Sequence, residues 1–158
     1  MADLNRTEIV KLIAINSGCS RGVILRGVDL SQQNLSHLYL AEANLAYSNL
    51  SQSYLIQADL MKCDLSRANL SYADLSEANL MGANLRHANL AGADLRAADL
   101  TDVDLREADL RGANFRSAVL LRANLWNALI DEANFLYANL EGAKGLPADF
   151  DRWAESPG

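Results

Sequence analysis

Two histidines, two cysteines and a long series of aspartates are the residues of this 158-residue chain whose types could do chemistry. Metal binding or proton transfer would need His37 and His87 at ligand spacing from each other or from a Cys or carboxylate cluster, and the sequence offers no such spacing. Cys19 and Cys63 form neither a CxxC pair nor a disulfide framework. Paired carboxylates would suit acid/base catalysis. Here the aspartates recur at one fixed place in a short repeat, which already accounts for them, and each is expected to accept hydrogen bonds from turn backbone. A Gly-rich phosphate loop, a nucleophile elbow and a zinc-finger spacing are also lacking. The sequence therefore predicts no catalytic, cofactor-binding or metal residues, and no cofactor.

Composition narrows the function classes further. Half of the residues are hydrophobic but only 6% are aromatic, so the interior must be built from Leu and Ala. A net charge of -6 gives no general attraction to nucleic acid or to an anionic membrane. The first residues lack the apolar stretch of a signal peptide, and no run is apolar enough to span a bilayer. Cytoplasmic location, no membrane contact and no direct nucleic-acid contact are the expectations.

What must position these residues is a rhythm of five. From Leu25 to Leu140 every fifth residue is Leu, Phe or Ile, and from Ala43 onward the residue two before it is usually small, with Asn or Asp between. On an α-helix such leucines would turn by about 140° from one to the next and ring the surface. In a straight strand they would alternate faces. The chain must therefore bend once per repeat. Strand alternation then points Leu75 and Ala73 inward and Asp74 and Ser76 outward, and the narrow interior takes one large and one small side chain per repeat. Cys63, in an Ala position, is expected in the core. Stacking every third or every fourth repeat leaves few acid-on-acid contacts either way, so a three-sided and a four-sided coil both fit.

Repeats such as Ala68-Asn69-Leu70-Ser71-Tyr72 and Ala93-Asp94-Leu95-Arg96-Ala97 match the consensus A(D/N)LXX, and the chain resembles the pentapeptide-repeat family over about three quarters of its length. The resemblance implies an all-β solenoid, a right-handed quadrilateral β-helix with four repeats per coil and about six coils. It also implies a non-enzymatic scaffold or protein-interaction module. Some members of that family mimic duplex DNA and act on DNA gyrase, usually as dimers joined at the C-terminal cap, which is the alternative reading. The family is abundant in cyanobacteria.

Three segments follow. Residues 1–22 are expected to form an N-terminal helical cap, with a helix over about Arg6–Ser17, an Asn5/Glu8 capping box and a Leu4/Ile9 staple. Residues 23–144 form the β-helix, with a first coil widened by Val23, Val28, Gln33 and Leu38. Residues 145–158 form a short helical lid, in which Leu146, Phe150 and Trp153 are candidate cap or homodimer contacts. On a four-sided coil the outward residues Met61, Met81 and Leu121 line up, with Tyr39 and Val119 on the same side, as a candidate stripe for an unknown protein partner. Trp126, Leu129, Leu136 and Tyr137 are expected to add a second cluster near the C-terminal end. The side carrying Arg26, Arg67, Arg86, His87 and Arg106 is locally basic.

Overall fold

The computed structural model describes residues 5–16, 22–148 and 150. Its organising contact is a parallel bridge between each outward residue and the residue twenty positions later, beginning with Ile24 and Asn44 and ending with Asn124 and Lys144. A separation of twenty is four repeats, which selects the four-sided coil over the three-sided one. Each side contributes a single bridging residue, so the solenoid is built of short extended sides joined by tight turns.

The turns explain why the period can be five. After each central Leu the chain makes a β-turn in which the Leu carbonyl accepts from the N–H three residues on, as in Ala43 N–H to Leu40 O at 3.0 Å and Ala78 N–H to Leu75 O at 3.0 Å. The second of the two central residues of every turn has a left-handed φ, from Gly27 through Gln32, His37 and onward to Tyr137 and Gly142. Glycine takes that conformation freely, whereas other residues do so at a cost. Gly27, Gly82, Gly92, Gly112 and Gly142 all fall at this position, so the glycine spacing is a turn signal that the sequence itself carries.

Inward residues form one continuous core. Phe115, Phe135 and the central leucines up to Leu125 are almost wholly buried, as are the alanines up to Ala123 two positions before the central residues, and burial becomes partial at Ile130 and Leu140 in the last coil. Cys63 is buried as expected, and its thiol donates to Leu40 O at 2.8 Å; burial pushes it up to about 12. Ser48 and Ser53, also at Ala positions, each donate to the carbonyl three residues back at 2.7 Å, so their hydroxyls are buried with a partner. In the first coil Val23, Val28 and Leu38 join the core despite their bulk.

The helix α1 spans Arg6–Asn16. Its N-terminus is the expected capping box: Glu8 N–H donates to Asn5 Oδ1 at 3.1 Å and Asn5 N–H to Glu8 Oε2 at 2.9 Å. Ile9 is fully buried, and Leu12 and Ile13 pack against the core beside it. Arg6 reaches the first coil, donating to Asn34 O at 2.5 Å and Ser36 O at 3.1 Å. Leu4, Cys19 and the end of the predicted helix lie outside the described residues.

At the other end, Phe150 N–H donates to Pro147 O at 3.1 Å, and the Phe150 ring stands edge-on to Phe135 at 5.2 Å. The described part of the expected helical lid is thus a single turn, with Leu146 half-buried against the core. Trp153 lies outside the described residues. Among the described residues no helix is long and apolar enough to cross a membrane.

Candidate protein-contact surface

The aspartates and asparagines that precede the central residues are occupied by the coil itself. Each side-chain Oδ1 accepts the N–H two residues on, as in Asn69 from Ser71 at 3.1 Å and Asp74 from Ser76 at 3.0 Å. Stacked residues are also linked from coil to coil. The Asn49, Asn79 and Asn84 amides donate to Asp29, Asp59 and Asp64 at 3.0, 3.3 and 3.0 Å. An Asn above an Asp therefore supplies a donor where a second carboxylate would only repel.

A further pattern was missed in sequence: wherever Asp-Leu-Arg occurs, the two charged residues share a face and pair. Arg96 grips Asp94, Arg106 grips Asp104 and Arg111 grips Asp109, with guanidinium-to-carboxylate distances of 2.7, 2.5 and 2.6 Å. Arg122 reaches across one coil to Asp102 at 2.7 Å. The arginine forks hold the Asp102, Asp104 and Asp109 carboxyls below their ordinary range. Below their usual range in the folded protein, these groups release protons that the unfolded chain still binds. Their stabilising effect is therefore full at neutral pH and is lost as pH falls from about 4 toward the lowered folded values. Urea midpoints are expected to decline over that acid range, and the decline should be shallower in an Asp104→Asn, Asp109→Asn variant.

His37 and His87 stand at turns on diagonally opposite corners, and among the described residues no group of His, Cys, Asp and Glu could hold a metal ion. His87 Nδ1 lies 3.4 Å from Glu107. No chemistry converges on either ring.

The apolar stripe is assembled as the twenty-residue register requires. Glu42, Lys62, Gly82 and Asp102 donate their N–H groups to the carbonyls of Met61, Met81, Thr101 and Leu121 at 2.8, 2.9, 2.9 and 2.8 Å, placing these four residues on one corner in successive coils. Met81 is exposed, Met61 and Leu121 are half-buried, and Thr101 is sunk into the surface. Val119 flanks Leu121. Tyr39 sits at the far end of the same side, separated from Val119 by Asp59, Asn79 and Asp99. The Asp102–Arg122 pair borders the stripe with charge.

The second cluster does not form as one patch. Trp126 and Leu136 are half a coil apart, so Trp126 stands on one corner with Leu129 on the side that follows it, and Leu136 and Tyr137 stand on the diagonally opposite corner. Sequence proximity misled because a twenty-residue coil places residues ten apart on opposite edges. Trp126, Leu129 and Tyr137 are exposed, Leu136 is half-buried, and Arg116 stacks over Tyr137 at 5.6 Å.

The model of pentapeptide repeats matches in eight copies over residues 24–61, 63–102, 78–116 and 108–144. The chain belongs to the pentapeptide-repeat family. Members of this family form right-handed quadrilateral β-helices, and the four-repeat register of this pentapeptide-repeat protein is the coil of that fold. Among solved structures it is similar to HetL, a pentapeptide repeat protein involved in heterocyst differentiation regulation from Nostoc sp. strain PCC 7120. The two share 23% identity over 89% of this chain and 92% of HetL, with a TM-score of 0.46. Rfr23 from the cyanobacterium Cyanothece 51142 shares 27% identity over 85% of this chain and 94% of its own, with a TM-score of 0.46. QnrB1, a plasmid-mediated fluoroquinolone resistance protein, shares 19% identity over 78% of this chain, with a TM-score of 0.49, and the match spans 65% of QnrB1. No curated protein matches the chain.

Proposed function

We propose that this pentapeptide-repeat protein is a non-enzymatic rigid scaffold that binds another protein through its sides. In this reading six coils stand between an N-terminal helical cap, residues 1–22, and a C-terminal cap, residues 145–158. The observation that carries it is the Met61, Met81, Leu121 corner. The repeat demands nothing apolar at these outward positions, yet they line up in successive coils beside Val119. Rigidity supports the same role, because every coil between the ends is hydrogen-bonded to the coils on both of its faces. A surface so held loses little conformational freedom on binding.

The test is co-purification from the native cell. A Met61→Ser, Met81→Ser, Leu121→Ser variant is expected to lose a partner that the parent retains, with circular dichroism showing that it still folds. An unchanged set of partners would sink the reading. The C-terminal end, with Leu146, Phe150 and Trp153, is the proposed homodimer contact, and light scattering measures it. Two cysteines without disulfide spacing support a cytoplasmic place of action. The gyrase-directed DNA mimic is the weaker reading, because arginines neutralise Asp94, Asp102, Asp104 and Asp109. A gyrase supercoiling assay is expected to show no effect.

A further inference from the structure

We propose that the corner bearing Arg26, Tyr47, Arg67, Arg86 and Trp126 is a second docking site, for an extended acidic segment of a partner protein that carries an apolar residue beyond its carboxylates. This corner is distinct from the methionine stripe and lies one side of the coil away from it. Its backbone is a ladder: the N–H groups of Gly27, Tyr47, Arg67, His87 and Glu107 donate to the carbonyls of Ala46, Ser66, Arg86, Arg106 and Trp126 at 2.9–3.0 Å.

Donors outnumber acceptors along it. Arg26 and Arg67 both lie over the Tyr47 ring, their Cζ atoms 4.3 and 5.8 Å from its centroid. Neither guanidinium has a carboxylate partner among the described residues, whereas Arg96, Arg106, Arg111 and Arg122 are each forked onto an aspartate. Arg86 reaches Glu107 only at 4.0 Å, and its shielded Nε has no hydrogen-bond partner. Glu107 is in turn shared with His87. The Asp104–Arg106 pair adds no net charge to the row.

A guanidinium held over a ring by cation–π attraction still has N–H groups to offer, and these can grip a carboxylate through two hydrogen bonds. Because the ring fixes it beforehand, little side-chain freedom is lost on binding. Carboxylates are favoured over a nucleic-acid backbone for two reasons. The chain is net acidic, and the Asp64 and Glu107 carboxylates lie among the arginines, so a uniform line of phosphates would meet repulsion. Spaced, individual acidic side chains can avoid it. Trp126 and Leu129, 57% and 48% exposed, end the row with an apolar anchor. Arg67 and Trp126 are three coils apart, about 14 Å at the spacing of neighbouring strands, which an extended chain covers in about four residues.

The probe is a fluorescein-labelled peptide with two adjacent glutamates and a leucine four positions further on, followed by fluorescence anisotropy on the full chain. Saturable binding is expected, weakened roughly tenfold or more by Arg26→Gln, Arg67→Gln together and by Trp126→Ser, and weakened by added salt. Arg26, Arg67 and Trp126 are exposed, so these variants are expected to keep the parent's circular dichroism. Arg116→Gln, at the single Arg–Tyr stack on another corner, should leave binding unchanged. The Met61, Met81, Leu121 serine variant should also bind the peptide normally, which separates this site from the stripe. Absence of saturable binding, an equal loss in Arg116→Gln, or tighter binding of a single-stranded oligonucleotide of matched charge would overturn the proposal.

Discussion

Phe115→Ala is expected to lower stability by about 3–5 kcal/mol, near the upper end for a single core truncation. Phe115 is fully buried, and its ring lies flat on Phe135, centroids 4.8 Å apart and planes 3° from parallel. Truncation removes the stack and leaves a cavity. Collapse into that cavity is resisted because the coil is fastened on both faces: Leu95 N–H donates to Asn114 O at 2.8 Å and Phe115 N–H to Asn134 O at 2.7 Å. Guanidinium unfolding followed by far-ultraviolet circular dichroism measures the loss. Leu140→Ala serves as the comparison, since Leu140 is only partly buried at the end of the solenoid and should cost clearly less. Equal costs at the two positions would show that the interior coils relax as freely as the terminal one.

Ala78→Leu should destabilise by about 1–3 kcal/mol through overpacking, although it adds apolar surface to the core. Ala58, Ala78 and Ala98 stack inward on one side of successive coils, each no more than 1% exposed, with leucines two residues further along the chain. A second leucine there has no space unless the side bows outward. Bowing would stretch hydrogen bonds such as Asn79 N–H to Ala58 O at 3.0 Å and Asp99 N–H to Ala78 O at 2.9 Å. The first coil shows the contrast, because Leu38 occupies the equivalent position and is accommodated in a coil that has a second coil on one face only, with α1 against the other. A neutral Ala78→Leu variant would mean that the small residue is not a steric requirement.

Sequence pattern carried much of this architecture because the constraints are local and repeated. The five-residue period, the inward Leu and Ala and the outward Asp and Asn depend on strand alternation and on the room inside a narrow coil, and both act within one repeat. The Asn5/Glu8 capping box was legible for the same reason, its partners being three residues apart. Even the missed features were local. The glycines at the second central turn position and the Asp-Leu-Arg pairs could have been read from spacing alone.

What the sequence could not decide depends on which coil lies above which. Three-sided and four-sided stacking satisfy the same inward pattern, and only the bridges between residues twenty apart select four sides. That register places Met61 and Met81 side by side and parts Trp126 from Leu136. It also brings Arg26 and Arg67 onto one Tyr47 ring. The repeat sets what each residue faces, inward or outward, because that follows from alternation along one chain segment. Tertiary structure sets its neighbours, because they come from other coils, and every candidate contact surface on this protein is made of neighbours of that kind.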